Sequence, residues 1–419
     1  MVWLTFVVLL LAGVPVALVL AVSALVYILS SDNHVLFLSY PQQLFSGLQN
    51  YGLLAIPLFM LTGELMNRGG ATRRLVDMAG IVAGGFRGGL AYINLLANMM
   101  MASIIGSAAA QISIMSQVMV PEMERQGYQR DFAAATTAAG GLLSPIIPPS
   151  MLFVIYGVLA QLPIGELFIA GIVPGLLMAG GFFVAITLLG FRYNYPTGAW
   201  YTPREALRAL LWGLPALCVP LVIIGGIILG IAAPTESAAL AAVAALVIGR
   251  YVYRELSFSD MGSILNRTAR NSALVMFLIA AANVFGWVIL YEQIPQVITG
   301  WLTGLTEDPF YFLLLVMLLL ICVGMVIDAI AALIIVVPIL LPIAVGTYGL
   351  DPIAFGVIVC INLVLGLLTP PVGAGLFIAS AMSGVAPGRL FLALLPFLVT
   401  TVFVLILLSW QPWLATALL

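Results

Sequence analysis

The chain has 419 residues, of which 63% are hydrophobic and only 7% are charged, with a formal net charge of −2 at pH 7. Because a soluble domain carries about 25% charged residues, this composition predicts one membrane-embedded unit spanning 1–419 and no soluble domain. One His, no Lys and three Cys without metal-binding spacing remove the side chains that most catalytic templates need, and no basic patch supports nucleic-acid binding.

Apolar runs long enough to cross a bilayer, about 20 residues each, define nine predicted crossings. In chain order they are 3–29, 51–66, 131–158, 167–190, 209–229, 234–249, 272–290, 353–384 and 391–410. The polar stretches between them are interpreted as loops, among them 30–50, 67–88, 250–271 and 292–309. The predicted fold class is therefore an all-α polytopic membrane protein.

Two further apolar stretches, 90–120 and 310–342, are shorter than the roughly 40 residues that two crossings would need. Arg-bearing loops flank the first stretch on both sides, whereas the loops beside the second contain no Arg. Each stretch is interpreted as a re-entrant helical hairpin, which enters and leaves on one side of the membrane. The first tip is predicted at Gly106 and Ser107, and the second between Gly324 and Asp328.

Two of the predicted crossings contain a proline-rich interruption. The first includes Pro145, Pro148 and Pro149, and the second includes Pro370 and Pro371. Each proline removes a backbone N–H group and clashes with the preceding turn, so the helix must unwind there. Unwound backbone cannot face lipid, because its polar groups would have no partner. We therefore expect two broken transmembrane helices that line a cavity inside the protein.

The hairpin and the broken helix that follows it occur twice along the chain. Ser107 aligns with Asp328 at an offset of 221 residues, and Ser144 aligns with Thr369 at an offset of 225. The first hairpin opens to the side of the Arg-bearing loops and the second opens to the other side. This arrangement predicts an inverted repeat about an axis in the membrane plane.

The distribution of Arg predicts the orientation of the chain. With the two hairpins assigned as above, all 14 Arg fall on one side of the membrane, which the positive-inside rule makes cytoplasmic. The N-terminus is then cytoplasmic and the C-terminus periplasmic.

Hairpin tips and broken helices place helix ends near the middle of the bilayer. Helix N-termini present free N–H groups to an anion, whereas freed carbonyls and hydroxyls suit a hard cation such as Na⁺. At least two Na⁺ sites are expected: the first from Ser103, Ser107, Ser144, Ile147 and Pro149, and the second from Gly324, Asp328, Thr369 and Val372. The candidate residues for binding a substrate anion are Gly106, Ser107, Ser144, Asp328, Thr369 and Gly373. Ser and Gly in membrane helices also serve close helix packing, which is the alternative role for these positions.

Several sequence blocks resemble one transporter family over nearly the whole chain. They are Val120–Met123, Gly127–Tyr128, Phe132–Ala135, Ser144–Ser150, Tyr156–Gly157, Pro234–Glu236, Asp351–Ile353 and Leu367–Gly373. Their order and spacing resemble the large membrane subunit of the tripartite ATP-independent periplasmic (TRAP) transporters. The resemblance implies a Na⁺-driven importer in the bacterial inner membrane, whose substrate is an organic acid anion of the dicarboxylate, sialic acid or sugar acid type.

The resemblance also implies a mechanism and partners. An elevator-type transport domain would comprise 90–158 and 310–384, moving against a scaffold formed mainly by 1–66, 167–249 and 391–419. The implied partners are a separate small membrane subunit with four spans and a periplasmic substrate-binding protein, beside the lipid bilayer and the organic acid itself. The same resemblance assigns the Na⁺ sites to the two residue sets given above.

Two positions depart from the family pattern, and two other readings stay open. Gln111 stands where the family commonly carries Asp, and Ser144 stands where it often carries Gly. The alternative function is a stand-alone divalent-anion:Na⁺ symporter or antiporter of related two-hairpin architecture. An intramembrane enzyme would need a catalytic dyad, which the sequence does not provide.

Overall fold

The computed structural model describes residues 2–31, 35–193, 195–196 and 201–419, and this part of the chain is helical with no β-strand. The N-terminal helices are α1 (Val2–Leu11), α2 (Val16–Ser30), α3 (Val35–Ser46), α4 (Ala55–Arg68) and α5 (Ala71–Ala83). The predicted crossing 3–29 is not one continuous helix. Gly13 has φ of 74° and Pro15 lacks an N–H group, so the helix is interrupted between α1 and α2.

Two predicted loops near the N-terminus contain helices. Within 30–50 the chain forms α3, and a one-turn 3₁₀ helix (Tyr51–Leu54) then leads into α4. The segment Tyr51–Arg68 is bent by 49° relative to Leu36–Ser46 of α3. Within 67–88 it forms α5, whose buried face includes Leu75 and Ala79 while Arg73 and Asp77 are exposed. Polar residues at helical spacing thus mark an amphipathic helix here rather than a loop.

The first hairpin and the first broken helix lie where the sequence predicts them. Helices α6 (Gly89–Ile105) and α7 (Ala108–Arg125) are joined at Gly106 and Ser107, and α8 (Arg130–Gly141) and α9 (Met151–Ala160) are separated by the proline-rich segment. The corresponding elements of the second half are α15 (Pro309–Gly324), α16 (Ala329–Gly346), α17 (Pro352–Gly366) and α18 (Ala374–Ser383).

The remaining helices connect and flank these two units. They are α10 (Ile164–Tyr193), α11 (Pro203–Ile228), α12 (Pro234–Val247, continued by π-helical residues Ile248–Val252), α13 (Phe258–Tyr291), α14 (Ile294–Thr303), α19 (Pro387–Trp410) and α20 (Trp413–Thr416). Two loop predictions are wrong in this region. Helix α13 occupies much of 250–271 because Ser257 and Asp260 form a capping box at its start, and α14 occupies part of 292–309.

Within the described ranges, six helices are long and apolar enough to cross a membrane by themselves, or seven if the bent pair α3–α4 forms one span. The six are α10, α11, α12 with its π-helical end, α13, α16 and α19. Four of the nine predicted crossings, 3–29, 51–66, 131–158 and 353–384, are each divided between shorter helical segments. Helix α16, predicted as one arm of a re-entrant hairpin, is itself long enough to cross by length and composition.

The centre of the molecule is formed by the first halves of the two broken helices. Every residue of α8 from Phe132 to Gly141 is buried, and so is every residue of α17 from Ile353 to Gly366. A helix that is apolar or small on all sides is stable only when neighbours surround it. Helices α6 and α7 pack on α8, and α15 and α16 pack on α17, so each hairpin lies against the broken helix that follows it.

Candidate functional site

The first break extends from Leu142 to Ser150 and is built by local hydrogen bonds. Beyond the end of α8, the N–H groups of Leu143 and Ser144 donate to carbonyls three residues earlier, at 3.1 and 3.2 Å, which ends the α-helix in tighter turns. Ser150 then caps α9, because its Oγ accepts from the Phe153 N–H group and donates to the Pro145 carbonyl. The bond between Pro148 and Pro149 is cis.

The first hairpin tip lies directly against this break. Gly106 adopts φ of 63°, which favours glycine, and ends α6 so that α7 begins after Ser107. A Cβ atom at Gly106 would lie 3.6 Å from the Pro149 carbonyl oxygen and 3.5 Å from the Met151 nitrogen. The space between the tip and the break therefore has room for about one methyl group at Gly106. Ser103, Gly106 and Pro149 also border one small cavity, of about 10 Å³.

The second tip contacts the second break through glycine backbones. A Cβ atom at Gly366 would lie only 2.6 Å from the Gly324 Cα and carbonyl carbon atoms. The Gly373 N–H group donates to the Met325 carbonyl at 2.8 Å, and the Thr369 Oγ1 donates to the Leu365 carbonyl at 2.9 Å. The bond between Pro370 and Pro371 is cis, so each break contains one cis prolyl bond.

A central cavity of about 30 Å³ lies where both tips and both broken helices converge. Its walls come from Gly106 and Ser107 of the first tip, Pro145 and Met151 of the first break, Asp328 and Ala329 of the second tip, and Val364 and Leu367 of α17. About 10–15 Å³ is the least that holds a water molecule, so this cavity has room for a water molecule or a small ion, and not for an organic acid.

Asp328 serves as the N-cap of α16. Its Oδ2 accepts from the Ile330 N–H group at 3.1 Å, and the side chain lies in the wall of the central cavity beside the first tip. Ser107 occupies the corresponding position before α7 but makes no side-chain cap hydrogen bond. One tip thus presents a carboxylate and the other an uncapped helix N-terminus.

The predicted site residues separate into groups. Ser103 and Pro149 share the smaller cavity, and Ser107 and Asp328 share the central one. Gly373 is hydrogen-bonded to Met325, the residue after Gly324, and a Cβ atom at Gly373 would lie 2.7 Å from the Thr369 carbonyl oxygen. Thr369, Val372 and Gly373 are not among the residues that line the central cavity with Asp328, and the Val372 side chain is 45% exposed.

Ser144 and Ile147 differ in their surroundings. The Ser144 side chain is completely buried, and its Oγ has no hydrogen-bond partner among the described residues. Ile147 is half-buried and continues the turn, since its N–H group donates to the Leu143 carbonyl at 2.9 Å. An unpartnered buried hydroxyl costs free energy, so Ser144 marks a place where a ligand atom would be stabilised.

A buried amide network surrounds Gln111, which the sequence marked only as a departure from the family pattern. Gln111 Nε2 donates to the Asn98 Oδ1 at 2.9 Å and to the Asn98 carbonyl at 2.8 Å. Asn98 Nδ2 donates to Asn94 Oδ1 at 2.9 Å, and Asn94 Nδ2 donates to Thr137 Oγ1 at 2.7 Å. The network therefore joins both arms of the first hairpin to α8.

A wider cavity of about 320 Å³ lies beside the first tip, and sequence reasoning did not identify most of its polar residues. It is lined by Ser107 together with Glu64 and Asn67 of α4 and Thr268 and Asn271 of α13. Glu64 Oε1 lies 3.7 Å from Arg267 Nη1, while its Oε2 is buried without a hydrogen-bond partner in the described ranges. The sequence signal that could have identified this cavity is the carboxylate of Glu64 and the amides of Asn67 and Asn271, which stand next to predicted apolar spans.

These features define a class of protein: a helical membrane protein in which interrupted helices converge on an internal cavity, the arrangement typical of secondary transporters. The sequence profile of the family described as "Tripartite ATP-independent periplasmic transporter, DctM component" matches residues 3–414. The chain belongs to this family. This membership confirms the family predicted from the sequence blocks, and it confirms a transporter rather than an enzyme.

Three relatives match the chain over most of its length. The sialic acid TRAP transporter large permease protein SiaM of Vibrio cholerae is 36% identical over 96% of this chain and 94% of its own. The 2,3-diketo-L-gulonate TRAP transporter large permease protein YiaN of Escherichia coli is 39% identical, over 82% and 80%. The C4-dicarboxylate TRAP transporter large permease protein DctM of Pseudomonas aeruginosa is 38% identical, over 94% and 92%.

A solved structure shares the fold. The YdaH transporter of Alcanivorax borkumensis superposes with a TM-score of 0.66 at 17% sequence identity, covering 91% of this chain and 89% of that one. The similarity shows a common helical architecture.

Proposed function

We propose that this chain, the large permease of a TRAP transporter, imports an organic acid anion together with Na⁺. The three relatives are named for sialic acid, 2,3-diketo-L-gulonate and C4-dicarboxylates. These compounds differ in size and in hydroxylation, but each carries a carboxylate. A substrate of the same class is the simplest expectation for this chain.

The observation that carries the proposal is the meeting of both tips and both broken helices at one cavity. Ser107 stands at the uncapped N-terminus of α7, a helix of 18 residues, and free N–H groups there attract an anion. Gly106, Ser144, Asp328, Thr369 and Gly373 complete the proposed substrate-binding set. The wider cavity beside Ser107 is large enough for a small organic acid.

Na⁺ coupling is supported by the kinds of atom found at the two tips. Backbone carbonyls and hydroxyls are the hard oxygen ligands that Na⁺ prefers. The buried Ser144 Oγ has no hydrogen-bond partner among the described residues, so it is free to coordinate a cation. We assign one Na⁺ to Ser103, Ser107, Ser144, Ile147 and Pro149, and another to Gly324, Asp328, Thr369 and Val372.

An inverted repeat is supported by the way the helices pack. Exchanging α6–α10 for α15–α19 maps one set of contacts onto the other: α6 packs on α8 as α15 packs on α17, and α7 packs on α18 as α16 packs on α9. Likewise α10 packs on α17 as α19 packs on α8. We propose that 90–158 and 310–384 move together as the transport domain of an elevator, while 1–66, 167–249 and 391–419 provide most of the scaffold.

The family description supplies the reason to propose partners. A tripartite transporter has three components, and the relatives are named as its large permease. We propose a small membrane subunit with four spans and a periplasmic substrate-binding protein as the other two. The proposed location is the bacterial inner membrane, with the N-terminus cytoplasmic because the Arg-bearing loops then face the cytoplasm.

The test is uptake of radiolabelled N-acetylneuraminate, gluconate and succinate into proteoliposomes that contain this chain and its co-encoded small subunit. Each acid is tested with and without the neighbouring periplasmic binding protein, and with an inward gradient of either Na⁺ or K⁺. We expect uptake of one acid only when the small subunit, the binding protein and the Na⁺ gradient are all present.

Two results would overturn the proposal. Uptake by this chain without the binding protein would favour the stand-alone symporter or antiporter. Uptake that is equally fast with Na⁺ and K⁺ gradients would contradict the proposed Na⁺ coupling, even if the organic acid is transported.

A further inference from the structure

The wider cavity beside the first tip, of about 320 Å³, has two different walls. The wall formed by the two tips and the first break contains one polar side chain, that of Ser107, among apolar ones. The wall formed by α4 and α13 carries the other four polar side chains, which are Glu64, Asn67, Thr268 and Asn271. The proposed function gives these four residues no role.

Helical spacing turns all four of these side chains toward the cavity. Positions 60, 63, 64 and 67 share one face of α4, and positions 268, 271 and 275 share one face of α13. The two helices pack on each other, and Arg267 Nη1 of α13 lies 3.7 Å from Glu64 Oε1 of α4. The four polar residues therefore form one surface, which we call the polar wall.

The polar wall has hydrogen-bonding groups that the protein does not use. Thr268 is 7% exposed, and its Oγ1 has no partner among the described residues. The Asn271 side chain forms no hydrogen bond in the described part of the chain, and that of Asn67 accepts only a long one, of 3.4 Å, from Thr72 Oγ1. Because a buried polar atom without a partner costs free energy, these groups favour a solute that brings hydroxyls.

The charge of the cavity is negative on the polar wall and is not balanced within the cavity. Among the described residues that line it, Glu64 is the only charged one, since Arg267 does not border the cavity. One carboxylate of a solute is favoured at the N-terminus of α7, next to Ser107. A second carboxylate would find no basic side chain in the described walls and would lie near Glu64, so like-charge repulsion opposes it.

From these two walls we infer that the cavity selects a polyhydroxylated monocarboxylate over a dicarboxylate, and that the polar wall determines this specificity. The inference rests on the proposed function, because it requires the transported anion to occupy this cavity. The single carboxylate lies toward Ser107 and the N-terminus of α7, and the hydroxyl groups face α4 and α13. There Glu64 accepts hydrogen bonds from the hydroxyls, while Asn67, Thr268 and Asn271 both donate and accept.

The test is competition against radiolabelled gluconate bound to the purified permease, with its co-purifying small subunit, in detergent containing NaCl. The binding protein is left out, so that its own selectivity does not enter. Four competitors share one six-carbon chain: gluconate has one carboxylate and hydroxyls, hexanoate has one carboxylate alone, glucarate has two carboxylates and hydroxyls, and adipate has two carboxylates alone.

The four acids separate the effect of hydroxyls from that of charge. We expect gluconate to compete at least about tenfold better than hexanoate, because it forms hydrogen bonds that hexanoate cannot form. We expect at least about the same margin over glucarate, because its second carboxylate is repelled by Glu64. Adipate, which lacks hydroxyls and carries the second charge, should compete least.

Three variants assign these effects to residues. Thr268→Val keeps the side-chain volume but removes Oγ1, and Asn271→Leu removes the amide, so each should weaken gluconate binding about three- to tenfold and leave hexanoate unchanged. Glu64→Gln should bring glucarate to within about twofold of gluconate, because the repelling charge is gone.

Asn266→Leu is the matched control, since Asn266 is exposed on α13 and does not line the cavity. It should leave the affinities for all four acids unchanged. A single symmetric peak in size-exclusion chromatography checks that each variant is folded.

Several results would overturn the inference. They are adipate or glucarate binding as tightly as gluconate, no saturable gluconate binding, an unchanged preference for gluconate over glucarate in folded Glu64→Gln, and equal affinities in Thr268→Val and Asn266→Leu. Failure of the proposed function is a different result, the absence of Na⁺-dependent uptake of every acid into proteoliposomes. Na⁺-dependent uptake with a preference for dicarboxylates would leave the proposed function standing and contradict this inference.

Discussion

Two serines of the first break, six residues apart, have opposite hydrogen-bonding situations. Ser150 Oγ is bonded on both sides, whereas Ser144 Oγ is buried without a described partner. Ser150 therefore stabilises the break in the absence of ligand. Ser144 gains a partner only if a cation or another ligand reaches it.

Replacing these two serines should separate folding from cation binding. Ser144→Ala removes no hydrogen bond of the protein, so we expect less than about 0.5 kcal/mol of change in stability without Na⁺. Ser150→Ala removes an N-cap and should cost about 1 kcal/mol. The measurement is thermal unfolding in detergent with NaCl or with choline chloride.

The dependence on Na⁺ is the informative part of that measurement. Na⁺ should raise the melting temperature of the wild-type protein and of Ser150→Ala by similar amounts, because a ligand that binds the folded state stabilises it. It should raise that of Ser144→Ala by much less. An undiminished Na⁺ effect in Ser144→Ala would remove Ser144 from the cation site.

The amide network makes Gln111 a structural residue of the first hairpin. Gln111→Leu would leave the Asn98 Oδ1 buried without its donor, at a cost of roughly 1–3 kcal/mol. Gln117→Leu, on an exposed position of the same helix, is the matched control and should cost far less. Equal melting temperatures for the two variants would contradict this role.

At the residue scale, the sequence predicted where individual residues lie in the fold better than it predicted which residues they contact. Gly106 was predicted at the first tip, and the structure places it there with φ of 63°, a conformation that favours glycine. Asn98 is hydrogen-bonded to Asn94 on its own helix and to Gln111. Its partner Gln111 lies on the other arm of the hairpin, so no local spacing rule could join the two.

At the scale of elements, the second hairpin is held to its broken helix by two glycines in contact. Gly324 ends α15 and Gly366 ends α17, and no side chain separates their backbones. Close backbone approach of this kind is how small residues allow membrane helices to associate.

Gly366→Ala should force the second tip away from its break. The added Cβ would lie 2.6 Å from two backbone atoms of Gly324, which cannot rotate aside, so we expect a loss of about 1–3 kcal/mol and a large loss of uptake. Gly346→Ala, at the far end of α16, meets no atom within 4 Å and should leave both unchanged. Uptake at the wild-type rate in Gly366→Ala would show that this contact is dispensable.

Composition predicted helices correctly where a stretch is uniformly apolar. It wrongly predicted loops where polar residues are mixed with apolar ones. The prolines of 145–149 and 370–371 correctly predicted both breaks, because a missing N–H group ends a helix whatever surrounds it. The start of α13 was missed although Ser257 and Asp260 are spaced as a capping box. The two Arg at 267 and 270 suggested a loop, but exposed Arg is also common on a helix end that extends beyond the membrane.

At the scale of the whole molecule, the positive-inside assignment predicts which ends of the helices face the cytoplasm. In a variant with Cys218, Cys322 and Cys360 replaced by Ala, we expect Arg125→Cys to be protected from a membrane-impermeant maleimide added to intact cells. Glu307→Cys, on the predicted periplasmic side, should react.

Permeabilising the outer and inner membranes should make both cysteines reactive, which controls for burial. Reaction of Arg125→Cys in cells with an intact inner membrane, together with protection of Glu307→Cys, would invert the proposed orientation. Reaction of both would contradict the assignment of all Arg to one side.

The overall arrangement was predictable only in outline. Two hairpins and two broken helices followed from apolar length, proline and small residues, each of which acts locally. The packing of α7 on α18 and of α16 on α9 did not follow, because the few identities between the halves align positions without saying which faces meet. The central cavity depends on those long-range contacts.

That crossed packing has a consequence for how the protein is made. Helix α7 ends at Arg125, but α18, against which it packs, begins only at Ala374, about 250 residues later. At a synthesis rate of roughly 5–20 residues per second, the first half waits in the membrane for about 12 to 50 seconds before its counterpart leaves the ribosome. During that interval α6 and α8 already pack on α7, but the face of α7 that contacts α18 in the finished protein has no native neighbour, so a chain that stops early leaves that face uncovered.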